Sequence, residues 1–478
     1  MTLNYNGSGK VFYKQNEYSC DLYVNEEQGG ILIKISINEP LSSILKLPLD
    51  MEFLSGELST GYRFTLMNCS RKELKNFISA GKSVFSYSAK YMFKGIGGKD
   101  YQTIKFYKVI FELSDIIEWG NIAGYIVGEN HELIYNANIE KVLYENEEFK
   151  IKYIVKRDSL PIVDMELLKE TITLQQSGNI EISFVQEENI EEFEKILKKF
   201  RRLIEISALK IVTVKRVTGW SKDIKQKIGE REFERPLSII SYDFYNDNSR
   251  EDAKKNSWRW VSLTELVDNN SFSEYIQKYE ILEPIVELYL EILEARDMST
   301  VSAFLNIVQA LETYHARFKA NEMNDFIIRI EEVILKNRPK SWIPDDKKFL
   351  MANSRGFITL ESRLADLLLA DFQIYFDTGD IEHYDFPKVI AKTRNYYTHY
   401  DEGIKESARV LTKEELMIYN NTLLYMLEYY LLLELGFSDE EVIRKKLNFR
   451  WGNASETLSL RKESKELFDE NASDKVNR

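Results

Sequence analysis

The stretch "TKEELMIYNNTLLYMLEYYLLLELG", residues 412–436, predicts one long helix whose start and end are both marked in the sequence. Thr412 and Glu415 have the spacing of a capping box, in which each side chain binds the backbone of the other residue. Gly436 follows the last apolar residue, where many helices end in a left-handed conformation. The apolar half of the stretch is too short to cross a bilayer and carries two glutamates, so we expect a helix buried in protein.

Helical periodicity extends from this stretch over most of the sequence after about residue 280. Pro284 is expected in the first turn of one helix and Pro387 near the start of another, because proline suits the first helical positions. We therefore predict an all-α domain over residues 282–455. A polar and charged tail, residues 456–478, follows it and is expected to fray.

The first 275 residues have a different pattern and are predicted to be rich in β-strands. Polar residues alternate there with β-branched or aromatic ones, which is the period of a half-buried strand. The clearest runs are 29–37, 61–69, 82–93 and 101–113. Glycines between the last two runs predict a hairpin, and Gly178 with Asn179 predicts another turn.

One amphipathic helix interrupts this β-rich region near residues 189–207. Its basic cluster, residues 198–202, is interpreted as a solvated face that complements the helix dipole rather than as an RNA-binding patch. The expected fold class is thus α+β with several domains. A β-rich N-terminal region over residues 1–275 precedes an all-α helical bundle.

Composition limits the function classes. The chain of 478 residues is 44% hydrophobic and 29% charged, which suits two or three packed domains and argues against a disordered or fibrous protein. A net charge of −13 disfavours indiscriminate coating of nucleic acid. Only two cysteines occur, Cys20 and Cys69, so we expect no disulfide framework and a cytoplasmic location. Both are predicted to be buried small hydrophobic residues rather than activated thiolates.

Several common site chemistries lack their sequence patterns. "GIGGKD", residues 95–100, has neither the spacing of a P-loop nor the third glycine of a dinucleotide fingerprint. The chain has four histidines, and "HELIY", which begins at His131, has a tyrosine where a zinc protease carries its second histidine. No carboxylate cluster has convincing metal-ligand spacing. We therefore expect neither a metal nor a cofactor.

The remaining candidate is "TRNYYTHYDEG", residues 393–403, near the end of a predicted helix. An arginine keeps its charge and holds phosphate oxygens in a forked contact, whereas a histidine titrates near neutral pH and moves protons. Arg394 and His399 therefore suit metal-independent RNA cleavage, in which the 2′-hydroxyl attacks and a 2′,3′-cyclic phosphate forms. The wider window, residues 388–409, is mildly basic. Its first two lysines, Lys388 and Lys392, are predicted to bind RNA. From the residues alone, structural roles for Arg394 and His399 remain the more common interpretation.

Helix geometry places a condition on this pair. Five residues of a regular helix turn through roughly 500°, which leaves the two side chains about 140° apart. A kink would bring them together. A second copy across a two-fold axis would also do so, because an isologous contact brings both residues of both chains to one cleft.

The R-N-x3-H pattern in an all-helical domain resembles the HEPN superfamily, whose R-x4–6-H motif serves RNA cleavage in many members. The helix "NIVQALETYHARF", residues 306–318, and the "TRNYYTHYDEG" segment are similar, more narrowly, to the HEPN domain of ApeA-like antiphage proteins. The β-rich region ahead of them fits the N-terminal domain of those proteins. The domain-level resemblance covers residues 282–455.

This resemblance implies a cytoplasmic endoribonuclease that cuts RNA and stops the growth of virus-infected bacteria. It implies a homodimer or a higher even oligomer, and a phage-derived trigger or an infection signal that the N-terminal region senses. No membrane partner is expected. Arg394 would bind the phosphate and His399 would act as the acid and base. Because HEPN domains often carry an acidic residue on an earlier helix, Glu312 is expected either to orient Arg394 or His399 or to form an ordinary ion pair. Asn395 either positions the phosphate or caps the helix turn.

Two alternatives remain beside this hypothesis. The HEPN domain is a non-catalytic module that dimerises or binds RNA or nucleotide, or it is a toxin silenced by modification of Tyr397 or Tyr400. These tyrosines, with Tyr396, are otherwise interpreted as packing residues, one of which would stack on a base. His315 is interpreted as structural.

Overall fold

A computed structural model gives the protein's fold. It describes residues 5–14, 16–25, 30–38, 47–77, 79, 81–97, 104–157, 173–228, 231–241, 260–295, 297–319, 336, 358–369, 372, 381 and 385–451. The chain divides into two compact units, Met1–Ser257 with Ser262–Thr264 and Trp258–Val261 with Glu265–Arg478. The predicted tail, 456–478, lies outside the described residues.

The N-terminal unit is built on antiparallel strands. The strands are β1 (Gly7–Tyr13), β2 (Asn16–Asn25), β3 (Gly30–Ile37), β4 (Asp50–Leu58), β5 (Arg63–Phe77), β6 (Lys82–Lys94), β7 (Phe106–Leu113), β8 (Tyr125–Val127), β9 (Leu133–Tyr135), β10 (Glu140–Glu145), β11 (Phe149–Arg157), β12 (Gln176–Glu188), β13 (Val214–Trp220), β14 (Lys225–Ile228), β15 (Arg231–Glu234) and β16 (Leu237–Ser241). The described residues before 260 also form two helices, α1 (Ile116–Gly120) and α2 (Ile190–Ala208). The predicted helix near 189–207 is thereby confirmed.

Six strands of this unit close into a barrel, in the order β6-β3-β2-β1-β4-β5 and back to β6. Closure removes exposed strand edges, which otherwise invite pairing with other chains. The pleat of β3 alternates strictly between half-buried and buried residues. Its buried set includes Ile33 and Ile35, which join Val11, Leu22 and Phe85 in one fully buried cluster.

Strand β6 also connects the barrel to the rest of the sheet. One edge of β6 pairs with β5, and the other pairs first with β3 and then, at Tyr91–Phe93, with β16. From β16 the sheet continues as β13-β7-β12-β11-β10. One face of this second part packs on α2, where Phe184 of β12 lies edge-on to Phe193 with 4.8 Å between ring centroids.

Two turn predictions for this unit are wrong. Strands β6 and β7 do not form a hairpin, because β7 pairs with β12 and β13, and both β13 and β16 lie between β7 and β6. Gly178 and Asn179 lie inside β12 and pair with β11 and β7. The glycine serves close packing instead of a turn, since a Cβ atom at Gly178 would lie 2.4 Å from the Ile116 side chain.

The second unit is helical. The described helices after residue 260 are α3 (Leu263–Asp268), α4 (Ser271–Glu294), α5 (Thr300–Phe318), α6 (Leu360–Leu367), α7 (Phe386–His399), α8 (Glu402–Ser407), α9 (Lys413–Glu434) and α10 (Glu440–Trp451). Helix α5 packs against α4, α6, α7 and α9. The fold class is therefore confirmed: a β-rich N-terminal region precedes a helical bundle. The boundaries at 275 and 282 stay predictions.

Helix α9 has the start and end that its sequence predicts. The Thr412 side chain accepts from the Glu415 backbone, the Glu415 side chain accepts from the Thr412 backbone, and Gly436 has a φ of +88°. Most of the buried residues of this helix are leucines and tyrosines. No helix within the described parts of the chain is long and apolar enough to cross a membrane.

The predicted position of Pro284 is wrong. It lies inside α4, which begins at Ser271, and not in a first turn. A proline has no N–H for the carbonyl four residues earlier, which here belongs to Glu280. Arg317 of α5 replaces that donor, since its Nη1 donates to the carbonyls of Glu280 and Ile281 at 2.9 Å each.

Candidate active site

Helix α7 carries the RN-x3-H motif, and its sequence explains where it begins and ends. Pro387 lies in its first turn, as predicted, and fixes the backbone angle that the helix needs. Phe386, Ile390 and Tyr397 belong to its buried face. The helix ends at Tyr400, which adopts the left-handed conformation with a φ of +50°.

Two side chains of α7 fix this helix to the segment before α9. The backbone N–H of Leu411 donates to Thr393 Oγ1 at 3.1 Å, and the Leu411 carbonyl accepts from the Tyr397 hydroxyl at 3.0 Å. Leu411 is fully buried, so both of its peptide groups need partners from the protein. These bonds hold the second half of α7 in a defined rotation.

That rotation turns a polar stripe outward. Lys388, Lys392, Asn395 and His399 are spaced by four, three and four residues, so they follow one face of the helix. Lys388 and His399 are exposed, and the two residues between them are half-buried. Neither lysine nor His399 makes a hydrogen bond or an ion pair with any residue the structure describes. We name these four residues the α7 stripe; it spans about 16 Å along the helix.

Arg394 lies beside the stripe and contacts α5. Its Nη2 donates to Glu312 Oε2 at 2.9 Å, and its Nη1 donates to Asn395 Oδ1 at 3.3 Å. The side chains of Arg394 and Glu312 are 32% and 31% exposed. A guanidinium has five N–H donors, so this geometry leaves donors for a further anion. Of the two orientations expected for Glu312, the structure shows the contact with Arg394.

The sequence interpretation missed a polar layer behind this pair, contributed by α6. Arg363 is buried and donates to the carbonyls of Ile358 at 3.3 Å and Glu312 at 3.5 Å. Asp366 lies 2.9 Å from Nε2 of His315, which is 1% exposed. The sequence signal that could have revealed this layer is the spacing of three residues between Arg363 and Asp366, which have opposite charges and lie on one predicted helix. These contacts place His315 in packing between helices.

Arg394 and His399 do not share a face of α7. The structure shows α-helix without interruption from Phe386 to His399. Five residues of such a helix leave about 140° between the two side-chain directions. One chain therefore presents the arginine toward α5 and the histidine toward solvent.

The three tyrosines of the motif have unlike environments. Tyr397 is 9% exposed, and burial raises its pKa. Tyr396 donates to Glu402 at 3.3 Å, and Lys405 lies 5.7 Å above its ring. Tyr400 is 64% exposed, and its ring centroid lies 5.9 Å from that of Tyr396. A packing role suits Tyr397, and Tyr400 has the accessible ring and hydroxyl.

Other candidate nucleophiles and ligands are placed differently. Cys20 and Cys69 are both buried in the barrel cluster, as predicted. Burial raises the pKa of each thiol to about 12, which disfavours the reactive thiolate. Within the described ranges, no three side chains of the types His, Cys, Asp and Glu lie close enough together to hold a metal ion.

Comparisons with known proteins agree with this architecture. A family model described as ApeA N-terminal domain 1 matches residues 4–279, which is more than half of the chain. A second model, described as Apea-like HEPN, matches residues 305–441, which include both α5 and the motif on α7. No curated protein and no solved structure matches the chain.

Proposed function

The chain belongs to the ApeA-like family of antiphage proteins with a C-terminal HEPN domain, and we propose that it is a cytoplasmic endoribonuclease acting through Arg394 and His399. The observation that carries the proposal is the α7 stripe. It sets an exposed histidine, an amide and two lysines along one helix face, and neither lysine has an ion-pair partner among the residues that the structure describes. A run of cations ending at a titratable group is what a phosphodiester strand requires.

The chemistry follows from these groups. Lys388 and Lys392 bind phosphates along the strand, and Asn395 lies one turn before His399. His399 takes the proton of a 2′-hydroxyl or gives one to the leaving 5′-oxygen. The 2′-oxygen bonds to phosphorus while the P–O5′ bond breaks, so the products are a 2′,3′-cyclic phosphate and a 5′-hydroxyl. Arg394 stabilises the negative charge that builds on the phosphate oxygens. No step in this scheme requires a metal ion.

We place the reacting phosphate between two chains. Because Arg394 and His399 point about 140° apart on an unbroken helix, one chain aims only one of them at a given phosphate. An isologous dimer about α7 supplies the missing group from the second copy, so one cleft holds two arginines and two histidines. In this proposal the N-terminal region senses a phage-derived trigger and keeps the cleft inactive until then.

The test is cleavage of a defined RNA by purified wild-type protein and by His399→Ala, each with and without EDTA and each supplied with lysate from phage-infected cells that lack the protein. The same lysate without added protein gives the background. We expect the wild type to give cyclic-phosphate 3′ ends in both conditions. The variant is expected to lose cleavage by at least about a hundredfold, the contribution of a general acid or base. Light scattering is expected to give the same even oligomer for both proteins.

A matched control is Arg409→Ala, which removes an exposed arginine that pairs with Glu415 outside the stripe. It is expected to cleave at the wild-type rate. Cleavage that survives His399→Ala would reject the assignment. RNA binding by the wild type without any cleavage, tested together with lysate from phage-infected cells, would instead favour the non-catalytic module.

A further inference from the structure

The N-terminal unit has a polar cavity on the sheet face opposite to α2. The cavity has a volume of about 270 Å³ and is lined from β7, β11, β12 and β13. Three of its lining residues are cationic, Lys156, Arg157 and Arg216, and one, Glu112, is acidic. Most of the others are uncharged amides and hydroxyls. Arg157 already donates to the Asn136 carbonyl at 2.6 Å.

Strand register explains why these groups converge. Glu112 of β7 has a direct cross-strand neighbour on each side: Asn179 of β12 and Arg216 of β13. Lys156 pairs in the same way with Ser177 on the next row. Residues directly opposite in neighbouring strands point to the same face, so four strands of one sheet fix the cavity floor. Such a floor orients side chains more firmly than a loop does.

The positive charge of the cavity is incompletely neutralised. Lys156 makes no hydrogen bond or ion pair with any described residue, and its ammonium lies 6.0 Å from the centroid of the Trp220 ring. Arg216 is 72% exposed and meets Glu112 only at 3.8 Å. Burial lowers the pKa of Lys156, and the nearby cations Arg216 and Lys108 lower it further. The carboxylates of Glu112 and Glu181 oppose this shift without cancelling it.

A second cavity of this unit shows the contrast. It has a volume of about 580 Å³, lies between β6 and α2, and is also lined by lysines. There, Lys90 pairs with Glu194 at 3.1 Å. Lys195 pairs with Glu192 at 2.7 Å. In this second cavity the chain itself supplies anions for Lys90 and Lys195. In the β7–β13 cavity, by contrast, no described residue pairs with the Lys156 ammonium, which is therefore available to an external anion.

We propose that the cavity lined by Lys156, Arg157 and Arg216 binds a small phosphorylated anion of mononucleotide size or smaller. A phosphate accepts charge-assisted hydrogen bonds from several cationic groups at once. The volume lies at the lower limit of small-molecule sites, so a single nucleotide fits better than a strand. The neighbouring amides and hydroxyls offer both donors and acceptors to a sugar or base. This binding is independent of the ribonuclease activity proposed above.

Isothermal titration of the full chain with AMP, ATP, inorganic phosphate and an oligouridylate tests the proposal. We expect AMP or inorganic phosphate to bind the wild type. Lys156→Ala and Arg216→Ala are each expected to weaken binding about tenfold or more, the effect of losing a hydrogen bond between charged groups. The matched control is Lys150→Ala, which lies on the same strand and face but pairs with Glu145 at 2.8 Å. It is expected to bind like the wild type.

A second readout locates the ligand. Limited acetylation followed by mass spectrometry is expected to show that AMP protects Lys156 and leaves the labelling of Lys150 unchanged. If phosphate protects as well as AMP, the recognised group is the phosphate alone. The proposal is wrong if AMP, ATP and inorganic phosphate all fail to bind at millimolar concentration, whether or not the oligouridylate binds. It is also wrong if Lys150→Ala loses as much affinity as Lys156→Ala and Arg216→Ala.

Discussion

Two carboxylate–arginine pairs of the C-terminal unit have nearly equal contact distances and opposite surroundings. Glu428 and Arg450 are 2.8 Å apart, and their side chains are 0% and 15% exposed. Glu312 and Arg394 are 2.9 Å apart and 31% and 32% exposed. Distance alone does not separate a pair that holds the fold from one that is available to a ligand.

The donors around each carboxylate do separate them. Glu428 also accepts from the Tyr289 hydroxyl at 2.7 Å and from the Trp451 indole at 2.8 Å. Burial raises the pKa of Tyr289 well above its usual value, so the phenol remains a donor. This closed cluster connects α4, α9 and α10. The open pair between α5 and α7 instead fixes one side of a guanidinium and leaves the other to solvent.

The largest expected effect comes from breaking the closed cluster. Glu428→Ala leaves the largely buried Arg450 without its carboxylate and removes the acceptor of two hydrogen bonds. Loss of one partner from a buried pair costs about 3–5 kcal/mol, so the free energy of unfolding should fall by that amount. Urea denaturation followed by circular dichroism measures it.

The control for this variant is Glu440→Ala, which removes an exposed glutamate that pairs with Arg444 within α10. Its unfolding midpoint should equal that of the wild type, since exposed pairs contribute little. An equal loss in both variants would mean that burial of the Glu428 cluster does not distinguish the two kinds of pair.

Breaking the open pair, Arg394 with Glu312, should lower the rate of RNA cleavage and leave the stability of the fold nearly unchanged. Arg394→Ala is expected to lower kcat/KM for RNA cleavage by about 10²–10³-fold, as when one donor to a developing oxyanion is removed. The unfolding free energy should change by less than about 1 kcal/mol, because the pair is one-third exposed. Parallel kinetics and urea titrations check both values. A large loss of stability would place Arg394 with the closed cluster.

Mixed oligomers test whether the open pair works across two chains. When Arg394→Ala and His399→Ala chains are co-expressed and purified together, each mixed dimer keeps one arginine and one histidine, on different chains. Cleavage is then expected to rise at least about tenfold above either variant alone, which corresponds to about 1.4 kcal/mol. A preparation as inactive as the single variants would show that both groups must come from one chain.

A smaller effect is expected from Glu312, which we interpret as a positioning residue. Glu312→Gln keeps an acceptor for Arg394 but removes the charge. We expect kcat to fall about tenfold while KM changes by less than about twofold, because orientation is lost and not uniform binding. Glu312→Asp should recover part of the loss. Unchanged kinetics in both variants would leave an ordinary ion pair as the better interpretation.

The same contrast explains what the sequence could predict. Apart from Glu312, the residues of the candidate active site are neighbours in sequence or lie one helix turn apart. The spacing of residues from Lys388 to His399 was therefore sufficient to place the α7 stripe on one helix face. The capping box of α9 and the helix α2 are likewise local patterns. The contact between Glu312 and Arg394 is long-range, and it came only as one of several options from the resemblance to HEPN domains.

The features that sequence patterns missed depend on tertiary partners. Gly178 precedes an asparagine, a pair typical of turns, but it lies inside a strand, where its missing side chain leaves room for Ile116. Proline is typical of a helix start, but Pro284 lies within α4, where Arg317 donates the hydrogen bond that the proline nitrogen cannot. The Glu428 cluster gives no local signal either, since Tyr289 lies far from it along the chain. All three features depend on contacts between elements that are distant in sequence, and buried polar groups find their partners only when those elements pack.

The smallest expected effect concerns Tyr397, which lies in the active motif but is bonded like a core residue. Tyr397→Phe removes the hydroxyl that donates to the Leu411 carbonyl and leaves the buried ring in place. The unfolding free energy should fall by about 1 kcal/mol, the usual net contribution of such a bond, and cleavage should stay within about twofold. Tyr400→Phe, at an exposed position, should change neither quantity. If Tyr397→Phe abolished cleavage of a fully folded protein, this hydroxyl would belong to the open site, because a bond that only anchors α7 is felt first in stability.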